Sequence, residues 1–327
     1  MKKILVTGAL GFIGQSLCET LSKSSRSVRG AVRYLNSSLS NNTDIEYVSV
    51  EDITLKTSWK DTLIGIDCII HCAGRAHVMH EAKTDALKIY RVANVDSTKK
   101  LAEQAAEVGV KRLVFLSSVK VNGEVTDNWH SDTVLNNQKK YKFTHTDIPN
   151  PQDPYAISKL EAEEVLWRIS QKTDLEVTVV RLPLVYGNGV KGNLERLIKL
   201  LQSNIPLPLG AIQNQRSMIG IDNLINLLIC CIDHPDAAGK IFLASDCEDL
   251  STPDLIDYIA SSMGYKVRLF PFPVFLLKFL CSILGKKKEI NRLVGSLKID
   301  SSYTQEVLNW KPPISVAEGI KRMVQGK

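Results

Sequence analysis

Between an apolar run, Ile4-Leu5-Val6, and a helical run that begins near Phe12, the chain carries Thr7-Gly8-Ala9-Leu10-Gly11-Phe12-Ile13-Gly14. Three glycines spaced in this way do different jobs at a strand-to-helix turn. Gly8 permits the tight turn, Gly11 lets the backbone come close to a pyrophosphate, and Gly14 lets the helix pack against the sheet. The first N–H groups of the helix have no partner within the helix and face the phosphates. Gly8, Leu10, Gly11, Phe12, Ile13 and Gly14 are therefore read as a dinucleotide cradle. A turn of this kind joins a parallel strand to a crossover helix, so it constrains the architecture of everything that follows.

The rest of the N-terminal half agrees with it. Short β-branched runs at Val28–Arg33, Ile45–Val50, Cys68–Cys72, Arg112–Ser117 and Val177–Arg181 alternate with helical patterns at Ala86–Val108, closed by Gly109, and at Pro154–Lys172. Alternation of this kind predicts an α/β fold, a Rossmann-type doubly wound parallel sheet with helices on both faces. The right-handed crossover rule places all the strand C-termini along one edge, where ligands bind.

After Arg181 the pattern loosens. Loops are marked by Pro183, Gly187, Gly189 and Gly192. Helices are expected at Leu194–Gln202, Asn223–Asp233, Thr252–Met263 and Val316–Met323, and strands at Met218–Ile221 and Ile241–Ser245. The division expected is a dinucleotide-binding domain over 1–181, with 218–246 returning to it, and a smaller, partly interleaved C-terminal substrate domain over 182–217 and 247–327. The polar stretch Asn122–Asn150 reads as a long loop over the site.

The end of the second strand bears on the choice of dinucleotide. An enzyme that uses NAD usually places Asp or Glu there for the ribose 2′-hydroxyl. Here the run Val28-Arg29-Gly30-Ala31-Val32-Arg33 has no acid, and Arg33 is suited to a 2′-phosphate. The expected cofactor is NADP or NAD, with this rule leaning to NADP. Asp52, with Ile53 beside it, follows the third strand as an adenine-side contact. The fourth strand ends His71-Cys72-Ala73-Gly74, and Cys72, Ala73 and Gly74 are expected beside the nicotinamide.

In Asp153-Pro154-Tyr155-Ala156-Ile157-Ser158-Lys159, the tyrosine and the lysine stand one helical turn apart on one face. A neighbouring ammonium lowers a phenol pKa, which would make Tyr155 a general acid or base near neutral pH. Leu113-Val114-Phe115-Leu116-Ser117-Ser118 ends a strand at the ligand edge. Ser118 is expected to hold a substrate oxygen beside Tyr155, with Lys159 completing the catalytic set. In the second half, Arg216 suits a pyrophosphate bidentately, and Lys191 and Asn193, in a glycine-rich loop, are expected to help hold the same ligand.

Bulk properties exclude several classes. Of 327 residues, 44% are hydrophobic and 23% charged, as in a globular protein with a sizeable core, and the net charge of +6 is mild. No basic block interleaved with aromatics points to nucleic acid. Seven cysteines, an odd number without Cys-x-x-Cys spacing, read as reduced thiols, and the glycines at 8 and 11 break any signal-peptide core, so a cytoplasmic location is expected. His77 and His80 lack a third ligand, so no metal is expected. The apolar stretch Val267–Leu284, followed by three lysines, is too short and interrupted to span a bilayer. It reads as a helix from Val274 to Leu284 in the core or at a subunit contact; the alternative is a membrane-surface helix over 274–288.

Taken together, Thr-Gly-x-x-Gly-x-x-Gly at 7–14, His-Cys-Ala-Gly at 71–74, Asn94, Ser118, Tyr155/Lys159 and the strand from Arg216 to Asp222 resemble the extended short-chain dehydrogenase/reductase (NAD-dependent epimerase/dehydratase) family over essentially the whole chain. The resemblance implies a nucleoside-diphosphate sugar as substrate and a homodimer, and it adds Asn94 to the cofactor set. A narrower likeness, carried by Arg75-Ala76-His77-Val78-Met79, Ser117–Glu124, Leu184–Lys191 and Leu207–Ile212, is to a UDP-glucose 4-epimerase-like bacterial branch. That branch contains O-antigen 4-ketoreductases forming UDP-N-acetylquinovosamine, and related epimerases acting on UDP-N-acetylglucosamine or its lipid-linked form. The likeness adds Met79 to the substrate set. Asn122 stands where UDP-galactose 4-epimerases usually carry tyrosine.

The resemblance implies an NAD(P)-dependent oxidoreductase acting at C4 of a UDP-sugar. Val119-Lys120 replaces the Asp-Glu pair of 4,6-dehydratases. The missing acid and the local motifs favour reduction of a UDP-4-keto-6-deoxy-N-acetylhexosamine to UDP-N-acetylquinovosamine. The alternative is a UDP-sugar 4-epimerase, and a third reading is a dinucleotide sensor without catalysis.

Overall fold

The computed structural model describes all residues except 1, 25, 41–42, 53–56, 77–82, 127–140, 204 and 327. Its strands are β1 (Lys3–Thr7), β2 (Ser27–Val32), β3 (Glu46–Ser49), β4 (Cys68–His71), β5 (Arg112–Ser118), β6 (Glu176–Leu182), β7 (Leu184–Tyr186), β8 (Met218–Gly220) and β9 (Lys240–Leu243). Seven of them form one sheet in the order β3-β2-β1-β4-β5-β6-β9, with every pair parallel. The fold is the Rossmann-type doubly wound α/β sheet. Strand order reverses between β1 and β4, so the loops after Thr7 and His71 part to either face and open the crevice where such sheets bind ligands.

Both faces of the sheet are apolar, as a parallel sheet covered on two sides requires. On one face Ile4 and Val6 of β1 pack with Leu17 and Leu21 of helix Phe12–Ser22 and with Leu224, Leu227 and Leu228 of helix Ile221–Asp233. On the other, Leu5, Ile69, Leu113 and Phe115 meet Leu101 and Ala105 of helix Ser97–Glu107 and Ala162 and Leu166 of helix Pro154–Ser170. A third core joins Tyr186, Leu194, Leu201, Ile256, Ile259 and Ile320 beneath the C-terminal helices.

Three details differ from what periodicity predicts. The helix expected over Ala86–Val108 is a succession: α-helix Lys83–Tyr90, a π-helical turn Arg91–Asp96, then α-helix Ser97–Glu107. The strand expected at 218 does not enter the large sheet. As β8 it pairs in parallel with β7, whereas the helix and β9 that follow it lie on the large sheet. Helices Lys287–Val294 and Ser302–Leu308 were not expected. Ile53, Met79, His77 and His80 lie outside the described residues.

Candidate functional site

The glycine turn has the geometry expected of an anion cradle. Gly8 is left-handed (φ +66°), and a Cβ there would stand 2.9 Å from the Ala73 nitrogen at the end of β4. A Cβ on Gly14 would collide with the Gly8 carbonyl, so the helix lies as close to the turn as glycine allows. Gly11 caps helix Phe12–Ser22 with no side-chain hydrogen bond, and the first turn carries no acidic residue. These N–H groups and the helix dipole favour a phosphate. Leu10 is half exposed at the rim, while Phe12 and Ile13 lean on the core.

Beneath the turn, three side chains link β1, β4 and helix Ser97–Glu107. Thr7 Oγ1 accepts from the Ala73 N–H (3.1 Å) and lies 2.7 Å from His71 Nδ1. His71 Nε2 lies 2.9 Å from Thr98 Oγ1, which donates to the Asn94 carbonyl (2.7 Å). Because Thr98 spends its proton on that carbonyl, it accepts from Nε2–H, and Nδ1 accepts from Thr7. Burial holds the His71 pKa down to about 3, so the ring is neutral and structural.

At the other end of the crevice, Arg33 follows β2 and Asp52 follows β3, 3.7 Å apart and both mostly exposed. Arg29, inside β2, does not face the crevice; it pairs with Glu46 (2.7 Å) and donates to the Thr62 carbonyl.

Tyr155 and Lys159 stand in the first turns of helix Pro154–Ser170. Asp153 sets the start of that helix, accepting from the Ala156 N–H (2.8 Å), with Pro154 in the first turn. Ser118, the last residue of β5, hydrogen-bonds the Tyr155 phenol and pulls its pKa downward. The expected lowering by Lys159 is not what the structure gives. Burial dominates and pushes Tyr155 up to about 12, with Asp153 and Tyr90 adding to the rise. The Lys159 ammonium lies 4.1 Å over the Phe115 ring, on the side of the Cys72–Gly74 loop, and a Cβ on Gly74 would be 3.8 Å from it. Burial brings Lys159 down to about 8, against an opposing pull from Glu163. Cys72, at the same loop, is a partly buried thiol that desolvation holds well above its usual pKa.

Asn94, buried in the π-helical turn, spends both amide hydrogens on protein. It donates to the Arg75 carbonyl (3.1 Å) and Ser158 Oγ (3.0 Å), and accepts from the Arg75 N–H (2.8 Å). It ties the Cys72–Gly74 loop to the helix of Tyr155 and Lys159. π-helical turns recur at functional sites, and this one places Asn94 between the two.

On the substrate side, Lys191 and Asn193 are exposed at the start of helix Asn193–Gln202. Arg216 donates to the Arg292 carbonyl (2.8 Å) and the Gly295 carbonyl (3.0 Å), which anchors it against helix Lys287–Val294.

Two groups of residues were not anticipated. Lys120, two residues beyond Ser118, bonds Asp153 and lies 3.4 Å from Glu124; Arg292 approaches Glu124 (3.6 Å) and Asp153 (3.8 Å) from the C-terminal side. Glu163 binds Arg181 of β6 through two oxygens and receives the Ser117 hydroxyl, while Arg181 also donates to Asn122 (3.1 Å). Glu163 had a visible signal, since it repeats the Tyr155–Lys159 spacing. Apart from the local Lys120–Glu124 pair, the others depend on contacts remote in sequence.

The comparisons with known proteins agree with this geometry. The family model described as "NAD dependent epimerase/dehydratase family" matches residues 4–244. A Vibrio cholerae protein named UDP-glucose 4-epimerase is 39% identical over 326 residues, covering 99% of this chain and 95% of its own. An Escherichia coli O157:H7 protein named N-acetyl-alpha-D-glucosaminyl-diphospho-ditrans,octacis-undecaprenol 4-epimerase is 24% identical, covering 98% of this chain and 94% of its own. Among solved structures, UDP-glucuronic acid 4-epimerase from Bacillus cereus, in complex with UDP-glucuronic acid and NAD, superposes with a TM-score of 0.77 at 23% identity, covering 99% and 98% of the two chains. Of the two cofactors that the sequence leaves open, NAD is the family's. With a glycine cradle at the switch point of the sheet, Ser118 against Tyr155, and a family match over most of its length, the chain belongs to the NAD-dependent epimerase/dehydratase family.

Proposed function

We propose that this protein is an NAD-dependent UDP-sugar 4-epimerase. The observation that carries the reading is the hydroxyl pair, Ser118 on Tyr155, set at the same sheet edge as the glycine cradle. The relatives from Vibrio cholerae and Escherichia coli are both named 4-epimerases, which directs the chemistry to C4 of a hexose.

The residues divide the work as follows. Gly8 to Gly14 hold the pyrophosphate of NAD, Arg33 and Asp52 its adenosine end, and Cys72, Ala73, Gly74 and Asn94 shape the nicotinamide side. When bound, NAD supplies the hydride acceptor and donor. Ser118 orients the C4 oxygen. Tyr155 takes the proton of the C4 hydroxyl as the sugar is oxidised and returns it as the sugar is reduced. Lys159 places positive charge beneath the Cys72–Gly74 loop. Lys191, Asn193 and Arg216 hold the UDP diphosphate. The domain division at 181, with 218–246 returning, a homodimer and a cytoplasmic setting belong to the same reading.

A second reading, a 4-ketoreductase forming UDP-N-acetylquinovosamine, is favoured by two observations. No acid closes β2, and Asn122, where a tyrosine is usual, is turned away to Arg181 and the Thr144 carbonyl. An epimerase must retain its dinucleotide through both hydride transfers, whereas a reductase exchanges it each cycle. Denaturing the purified protein and identifying the released dinucleotide, together with assays of UDP-glucose/UDP-galactose and UDP-GlcNAc/UDP-GalNAc interconversion without added cofactor, tests the choice. Retained NAD and interconversion support the epimerase. An absence of retained dinucleotide, with NAD(P)H consumed by a UDP-4-keto sugar, would replace it with the reductase.

A further inference from the structure

Helix Val274–Ile283 has no buried residue. Its inner side rests on the third core through Val274 and Leu277. Its outer side presents Phe275 (71% exposed), Phe279 (62%) and Ile283 (67%), one turn apart in succession, flanked by Leu276, Leu280 and Leu284. Five large apolar side chains on one short helix, with Leu284 at its C-cap, far exceed the scattered exposure normal for a surface.

The charge around this helix is one-sided. From Tyr258 to Lys288 the sequence has six basic residues, Lys266, Arg268, Lys278, Lys286, Lys287 and Lys288, and no acidic one, so this segment accounts for the net charge of +6 of the whole chain. Lys266, Arg268, Lys278, Lys286 and Lys287 are exposed. No helix among the described residues is long and apolar enough to cross a membrane. An apolar ridge with a basic surround is the pattern of a helix lying in the plane of an anionic interface, with its aromatic and aliphatic side chains among the acyl chains and its lysines among the phosphates.

We propose that Val274–Ile283 docks this protein on the surface of an anionic phospholipid bilayer. A second copy of the chain is the weaker fit. The ridge is about 15 Å long, short for the roughly 800 Å² per partner of a standard subunit contact, and like-charged lysines would face one another across it. Docking also has a consequence for the site. Helix Lys287–Val294 follows after three residues, and its end carries Arg292, which approaches Asp153 and Glu124, and the carbonyls that hold Arg216. The bilayer contact and the wall of the site are thus successive turns of chain, so docking sets the mouth of the site beside the lipid. The inference stands whichever sugar reaction the site performs.

Flotation of the full chain with phosphatidylcholine vesicles, with and without phosphatidylglycerol and at low and high salt, tests it. The protein should float with the anionic vesicles, about tenfold less with neutral ones, and less at high salt. The triple variant Phe275→Ser, Phe279→Ser, Ile283→Ser should stay in solution while retaining its circular dichroism and dinucleotide binding. The variant Lys278→Gln, Lys286→Gln, Lys287→Gln should lose the preference for anionic lipid. Wild-type protein that remains in solution with anionic vesicles overturns the proposal, as does a triple variant that floats like wild type. Dissociation of a wild-type oligomer by the triple variant, with vesicle binding unchanged, would assign the ridge to a second copy instead.

Discussion

Glu163 and Arg181 form a two-point ion pair, Nη2–Oε2 2.7 Å and Nε–Oε1 3.1 Å, with both side chains almost fully out of solvent. It joins the third turn of the Tyr155 helix to the end of β6, one strand from Ser118. Removal of either partner leaves the other charge buried without its counterion. Glu163→Gln or Arg181→Met should each cost about 3–5 kcal/mol of stability. The double replacement by apolar residues should cost less than the two single costs added. Urea unfolding of the three variants measures this, and additive losses would mean the pair is not coupled as the structure shows.

Lys159 makes stability depend on pH. Its folded pKa, about 8, lies below the ordinary value of 10.5. Between these values the unfolded chain binds the extra proton, so stability rises with pH, by up to about 1.4 kcal/mol per pH unit from this group alone. The penalty is fully present below about pH 8 and is gone above about 10.5. Lys159→Met removes the titration. With the dinucleotide stripped from both proteins, the variant's stability advantage over wild type should be largest near pH 7 and shrink towards pH 10. A constant difference across that range would contradict the buried, destabilised ammonium.

Much of this was legible in the sequence where one segment contains the whole pattern. The glycine turn, the β–α alternation and the Tyr155/Lys159 spacing are local, and the structure places them at one crevice. The pKa of Tyr155 was not legible. Spacing puts Lys159 on the same helical face, but the direction of the shift is set by burial, with Asp153 and Tyr90 adding to it, and the ammonium sits over Phe115, all of them tertiary facts. Arg292 beside Asp153, and Arg181 beside Glu163, are hidden for the same reason. β7 is three residues long, too short for alternation to show, so the sequence shows β8 as a strand without its partner, and the π-helical turn at Arg91–Asp96 leaves hydrophobic periodicity almost unchanged.

The cradle permits a sharp test of backbone approach. At Gly14 an added methyl meets the Gly8 carbonyl, a backbone atom that cannot turn aside. Gly14→Ala should push the helix off the turn and cost about 1–3 kcal/mol, with dinucleotide affinity falling at least tenfold as the N–H groups lose their aim. Gly65→Ala is the control: its φ of +71° costs backbone strain, but the added methyl meets nothing and the residue lies away from the crevice. Its stability should drop with affinity unchanged. Titration of both variants with NAD, by fluorescence or calorimetry, separates the two effects.

Tyr155 carries the last prediction. Its hydroxyl is the only part of the side chain that Phe lacks, and the ring is wedged edge-on against Tyr90 at 5.8 Å, so Tyr155→Phe should fold and bind NAD as wild type does. Loss of a general acid–base group should lower the rate about 10²–10⁴-fold. Ser118→Ala removes the hydrogen bond that draws the phenol pKa down from its buried value. Its rate should therefore fall less at high pH than at neutral pH, because the phenolate forms there without help. A pH–rate profile for Ser118→Ala displaced to higher pH than wild type, beside a flat and very slow Tyr155→Phe, is the expected outcome. A Tyr155→Phe variant that keeps most of its activity would remove the phenol from the chemistry and leave the Ser118 contact a structural one.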